Sequence, residues 1–492
     1  YFARPLEQAA RRQWLQVRAS PPADTPAGPR SRKARPVRRR PRFPALHCPR
    51  RRPSVRRSWP PPAQCQFEMQ GVVVMSDTRV QQYQDHAGAE AVDSSGLEVK
   101  RLTFLEAVAM IVGTNIGAGV LSMAYASRKA GFMPLLLWLA VAGLFTTISM
   151  LYVSETALRT RTHNQLSGLA QRYVGSFGAW AIFLSVAVNS IGALIAYMSG
   201  SGKILSAFFG ISPALGSVLF FIPAAGVLYL GLSAIGKGEK FISIGMVSMI
   251  LILVAATLLN DNTEFARLLD GDWIYMVPVF NIAVFCFSAQ YIVPEMARGF
   301  SHAPERLPKA VITGMLTTFV LLSIVPLSVI ALTGLENQSE VATLAWGKAL
   351  GEWAFFTANT FALCAMLTSY WGLGGSFLTN IFDKFHKLGP ENRPKTRLLV
   401  LAIVALPPFV LAYSGLVGFV NALYFAGAFS GVILSIMPIL MLRSARRNGD
   451  FEPAWKCGWI AHPAIQAVIV TIYLASAAYA ICSAMNLLPA GW

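Results

Sequence analysis

From Phe104 onward, apolar runs of roughly 20 residues recur along the chain, close to the length a helix needs to cross the ~30 Å hydrocarbon core of a bilayer. No water reaches that core, so each backbone N–H and C=O must find its partner within the protein, and runs of this length do so as helices. Charged residues make up only 13% of the 492 residues and hydrophobic ones 54%, too little charge to cover a soluble body of that size. The fold class that follows is all-α and integral to a membrane, with about 11 transmembrane helices.

The spans read as 103–126, 132–157, 177–202, 214–234, 239–260, 274–297, 309–334, 352–382, 397–413, 415–442 and 461–487. Their loops alternate in basic content. One set carries seventeen Lys and Arg, among them Arg159, Arg172, Arg298, Lys384 and Arg446, and the other carries five: Arg128, Lys129, Lys203, Arg267 and Lys348. The rich set shares a side with the basic leader ending at Lys100-Arg101, which places the N-terminus in the cytoplasm and, after eleven spans, the C-terminus outside. The membrane expected is the cytoplasmic (inner or plasma) membrane.

The net charge of +18 is concentrated ahead of the spans: 20 of the 42 Lys and Arg lie in residues 1–101. Runs such as Arg38-Arg39-Arg40 and Pro60-Pro61-Pro62 cannot bury enough apolar surface to offset chain entropy, so 1–101 is expected to be disordered and 102–488 to form the transmembrane domain. Met75-Ser76-Asp77 looks like a natural start, which would make 1–74 translated upstream sequence. A nucleic-acid partner is not expected, nor a cofactor. The six cysteines are scattered without paired spacing, which argues against a zinc site or disulfide framework.

Two spans are interrupted. The first carries Gly113-Thr114-Asn115-Ile116-Gly117-Ala118-Gly119 at mid-membrane depth, where three glycines in seven residues weaken a helix. Glycine also serves close helix packing. The alternative is an unwound segment whose free N–H groups attract a carboxylate and whose carbonyls attract a cation. The sixth span places Ser288, Gln290, Pro294 and Glu295 in an apolar run, and Pro294 predicts a kink or break. Spans 1–5 and 6–10 each begin with an interrupted helix, the pattern of an inverted-repeat transporter with its site at the midplane.

The residues Gly113–Met123 resemble the first span of the aromatic amino acid permeases, the tyrosine/tryptophan permease-like family of the amino acid/auxin permease group in the amino acid–polyamine–organocation superfamily. Leu169–Gly175, Tyr197–Gly202, Thr368–Gly372 with Asp383, and Asn421–Gly427 are similar as well. The resemblance covers roughly residues 102–488 and implies a LeuT-like 5+5 inverted repeat plus one extra helix. It also implies a secondary active permease that imports aromatic or other neutral amino acids by ion-coupled symport with alternating access, as a monomer or weak oligomer and not as an enzyme. The sixth span, reading Phe285-Cys286-Phe287-Ser288-Ala289-Gln290, departs from the Phe-Gly-Phe-His-like segment of the tyrosine type, so the side-chain pocket should differ. The fifth span lacks the lysine that proton-coupled relatives often carry, and Met246 stands near its place.

Candidate substrate-binding residues are Thr114, Asn115, Gly117, Ala118 and Gly119 in span 1, Phe285, Phe287, Ser288 and Gln290 in span 6, and Asn189 and Tyr424. The N–H groups of Gly117, Ala118 and Gly119 should take the carboxylate, and carbonyls near Phe285 and Ser288 the amine. The coupling ion is H+ or Na+. A sodium ion would use Gly113, Ile116, Thr368 and Ser369, although hydroxyls in membrane helices commonly bond a preceding carbonyl instead. Glu295 is the deepest ionisable group and a possible proton site, with pairing to Arg298 as the structural alternative. Glu106, Glu155 and Asp383 fall near span ends and read as interfacial. A transporter-fold sensor or uncoupled exchanger is the rival reading.

Overall fold

A computed structural model describes residues 101–162, 164–230, 236–385 and 394–488, and every regular element among them is helical. The Pro/Arg-rich segment up to Lys100 lies outside the described residues, as does the end of the fourth span at 231–234. In chain order the α-helices are α1 Phe104–Asn115, α2 Ala118–Ala126, α3 Phe132–Leu158, α4 Leu166–Val174, α5 Ser176–Phe209 and α6 Pro213–Leu230. There follow α7 Gly236–Leu258, α8 Met276–Cys286, α9 Val293–Gly299, α10 Arg306–Thr333 and α11 Ala342–Leu350. The last four are α12 Glu352–Lys384, α13 Pro394–Tyr413, α14 Phe419–Asn448 and α15 Pro463–Ala484.

Eight of these segments are long and apolar enough to cross a membrane, α8 and α9 counting as one, and α1 with α2 passes as a ninth bent by 49°. Two shorter apolar helices, Pro213–Tyr229 and Gly245–Leu258, lie in the fourth and fifth predicted spans. Large apolar side chains face outward along the bundle, including Leu144, Ile222, Leu316 and Leu406. Such a belt is stable against lipid rather than water.

Thr103 starts α1 with a capping box: its Oγ1 accepts from the Glu106 amide at 3.3 Å while Glu106 Oε2 accepts from the Thr103 amide at 2.9 Å. At the centre, α14 packs against α5, α8 and α3. Small residues permit that approach. A Cβ on Gly192 of α5 would sit 2.6 Å from the Ala426 Cβ of α14, and one on Gly427 would run into the Asn281 carbonyl of α8.

The structure changes the reading of Glu155. It is fully buried at the end of α3, not interfacial. Arg446 of α14 grips it through Nε and Nη2 at 2.9 Å each, Arg159 Nε donates at 3.1 Å, and the Cys457 amide donates at 2.7 Å. Arg159 is itself buried. Beside this knot the Asp450 carboxylate accepts from the Arg161 amide at 2.7 Å and from Arg172 Nη2 at 2.6 Å. The Arg161 amide first, and then the Arg172 guanidinium, hold the Asp450 carboxyl below the usual carboxylate range. The two ends of the bundle differ: at the other end of α3, the Asp272 amide donates to the Lys129 carbonyl at 3.0 Å, and Lys203 pairs with Glu340 at 2.6 Å.

Glu155→Gln should destabilise the protein by roughly 3–5 kcal/mol, because it strips the counter-charge from a buried guanidinium. Thermal unfolding in detergent measures this, and an unchanged midpoint would contradict the hub. Because the Asp450 carboxyl lies low when folded, its tether contributes above the ordinary carboxylate range and is lost as pH falls through the folded value. Hydrogen exchange in the 449–462 loop, corrected for intrinsic rate, should therefore quicken in acid.

Candidate functional site

The helical ladder of the first span fails where the glycines predict. The Ile116 amide still bonds the Val112 carbonyl at 2.8 Å, after which Gly117 takes φ −133° and ψ −137° and α2 begins at Ala118. The amides opening α2 have no preceding turn to bond, and they form the electropositive end of a helix.

The second interruption lies upstream of where the proline predicts it. α8 ends at Cys286, Phe287–Ala289 lie outside the α-helix, and a 3-10 turn over Gln290–Ile292 leads into α9. Pro294 falls within the first two positions of α9, where its missing N–H costs nothing. The break is instead carried by short bonds: the Ser288 amide to the Phe285 carbonyl at 3.1 Å, the Ala289 amide to the Phe287 carbonyl at 2.8 Å, and the Ser288 hydroxyl to the Val284 carbonyl at 2.8 Å.

A cavity of about 500 Å³ ends beside these breaks. Its inner part is lined by Gly113, Thr114, Tyr197, Tyr291 and Ser369, and it continues past Glu295, Arg298 and Asn380 to Gln165 and Ser167 at the Glu155 end of the bundle. A Cβ on Gly117 would lie 3.4 Å from both the Tyr197 Oη and the Ser369 Oγ. These two hydroxyls therefore stand between the cavity and the first break. Tyr197 was visible only as part of a motif. Its place at the site depends on α5 crossing α12, which local pattern does not encode.

The predicted residues divide into three groups. Gly113, Thr114, Ser369 and Glu295 line the cavity. Asn189 lines a small side chamber with Ser190, Tyr291 and Ser376, where the Asn189 Oδ1 accepts from the Ser430 hydroxyl at 3.2 Å. Asn115, Ile116, Ala118, Phe287, Ser288 and Gln290 are buried around the breaks. Asn115 Oδ1 and Gln290 Oε1 are both buried without a hydrogen-bond partner. Gly119 faces α8 so closely that a Cβ there would collide with the Cys286 thiol. Phe287 packs on Gly143 of α3, and Phe285 packs on Gly427 of α14, the helix that also carries buried Tyr424. These aromatic residues form walls behind the breaks. Thr368 donates to the Ala365 carbonyl at 3.0 Å, which leaves its oxygen lone pairs open. Glu295 is exposed to the cavity rather than deeply placed, and neither it nor Arg298 forms an ion pair with a described residue. Among the described residues no group of three or more His, Cys, Asp or Glu could hold a metal ion.

Comparison with known proteins agrees with this architecture. The chain is 25% identical to the tyrosine-specific transport system 2 of Haemophilus influenzae over 385 residues, covering 72% of this chain and 91% of that protein. It is 24% identical to the tryptophan-specific transport protein of the same organism over 383 residues, covering 72% and 90%. Against the tryptophan-specific transport protein of Shigella flexneri it is 24% identical over 420 residues, covering 79% and 97%. The profile of the tryptophan/tyrosine permease family matches residues 100–478, the whole span from the first broken helix into α15. The chain belongs to the tryptophan/tyrosine permease family, a family of membrane transport proteins and not of enzymes.

Proposed function

We infer that the protein is a secondary active permease that imports aromatic or other neutral amino acids across the cytoplasmic membrane by ion-coupled symport. The observation that carries this reading is the cavity reaching from one end of the bundle to the paired breaks. The names of the tyrosine- and tryptophan-specific relatives favour an aromatic substrate. The bent pair, the eight long spans and the two shorter apolar helices together support eleven crossings. Ten of these make a LeuT-like 5+5 inverted repeat, with α15 as the extra helix.

Basic residues favour the cytoplasmic side, so the cavity, which opens beside the Arg159 and Arg446 knot, faces the cytoplasm. The Lys129–Asp272 and Lys203–Glu340 contacts then close the outer side. Alternating access requires these contacts to part as the inner cavity shuts. The substrate carboxylate sits at the amides of Gly117, Ala118 and Gly119, the first of which must leave the Asn115 carbonyl that it bonds at 3.2 Å, flanked by the Tyr197 and Ser369 hydroxyls, and the amine sits at the carbonyls near Phe285 and Ser288. Donors fixed in place by broken helices need little reorganisation to receive a charged group.

Gly117→Val should abolish uptake while membrane insertion and stability survive, since the added methyl groups fill the space before Tyr197 and Ser369. Transport at wild-type rate would remove the carboxylate site from span 1. Tyr197→Phe should lower uptake by about tenfold, the worth of one hydrogen bond to a charged group. For coupling, purified protein in liposomes should accumulate an aromatic amino acid when a gradient is imposed. Drive by sodium alone assigns the Gly113, Ile116, Thr368 and Ser369 oxygens, and drive by pH alone assigns a proton. Indifference to both gradients, with accumulation only against a preloaded amino acid, would establish uncoupled exchange.

A further inference from the structure

Beyond the break, the cavity wall carries a second set of groups that the central site does not use. Glu295 and Arg298 occupy the first and last turns of α9, three residues apart, and both line the cavity. Residues at that spacing on a helix are neighbours, and oppositely charged ones ordinarily meet. Here they do not. Neither charge is paired with any described residue, and the Arg298 Nε is buried without a hydrogen-bond partner. Across the same cavity Asn380 of α12 is 92% buried, being 8% exposed, and its Nδ2 also lacks a partner. A carboxylate and a guanidinium thus line one cavity without meeting, and beside them Arg298 Nε and Asn380 Nδ2 lie buried with their bonding capacity unspent.

Buried donors without partners are costly, and each calls for a group to satisfy it. The complementary ligand must offer a cation and an anion a few ångströms apart. An α-amino acid head group has this form: its ammonium matches Glu295, and its carboxylate matches the fork of Arg298 and the amide of Asn380. An inorganic anion would satisfy Arg298 and Asn380 but would be repelled by Glu295. A metal cation would be repelled by Arg298.

We propose that Glu295, Arg298 and Asn380 form a second, vestibular site that holds the zwitterionic head of the amino acid between the central site and the cytoplasm. The inference rests on the permease reading and adds a second stop on the release route. Being solvated, the site is weak, which suits a station that must let its ligand go. It shortens the step out of the central site, and it discriminates against solutes lacking either charge.

The test uses the full chain in oriented liposomes, with L-tyrosine as transported probe and two analogues as inhibitors. Tyramine lacks the carboxylate, and 3-(4-hydroxyphenyl)propionate lacks the ammonium. Glu295→Gln and Arg298→Gln should each raise the KM for L-tyrosine presented from the cytoplasmic side by about tenfold, while the KM from the outside changes less than twofold. Selectivity should also split. With E295Q the cytoplasmic preference for L-tyrosine over the propionate narrows while that over tyramine holds, and with R298Q the reverse occurs. A uniform fall in rate with unchanged selectivity, or equal KM changes on both sides, would overturn the vestibular site. Should R298Q fail to fold, E295Q alters an exposed side chain and decides the matter alone. If the permease reading itself were wrong, wild-type protein would not accumulate L-tyrosine; equilibrium binding of L-tyrosine to wild type and E295Q would then still report on this site.

Discussion

A backbone amide that leaves its helix inside a bilayer has no water to turn to, and the middle of this protein is organised around that constraint. The chain abandons helical bonding twice, at Gly117 and over Phe287–Ala289. Around the second break, short-range bonds and the Ser288 hydroxyl recover some of the lost pairing. Around the first, the Gly117 amide turns back to the Asn115 carbonyl at 3.2 Å, and the Tyr197 and Ser369 hydroxyls lie close by.

Two broken helices are weak structural members, and the surrounding packing compensates. Helix α14 supplies small residues where α5 and α8 must come close, while Gly119 lets α2 rest on α8 with only the Cys286 thiol between them. Dense contact of this kind gives dispersion energy in place of the hydrophobic drive that lipid cannot provide. At the C-terminal end of α3, the Glu155–Arg446–Arg159 knot joins α3 to α14 and holds the loop that leads to α15. One end of the bundle is thereby fixed by buried charge, and the other closes through backbone contact and a partly exposed ion pair.

Much of this was legible in the residues. Apolar length located the helices, and the glycines at 113, 117 and 119 located the first break to within a residue or two. What local pattern cannot report is the partner across the bundle. Glu155 reads as interfacial because it lies three residues from the end of α3, yet Arg159 one turn on and Arg446 from the distant α14 allow its burial. Pro294 was read as the breaker, but proline disturbs a helix only from its interior, and here it starts one. Tyr197, Arg298 and Asn380 could not be assigned to one space until α5, α9 and α12 were set around it.

The thiol beneath Gly119 has a further consequence. Cys286 is 1% exposed, and it is sealed only because α2 carries no side chain at that point. Any rocking of the second half of span 1 away from span 6 must uncover the sulfur. The protein therefore carries a native reporter at the joint between its two interrupted helices, and the rate at which a small alkylating reagent reaches that sulfur follows the parting of the helices themselves.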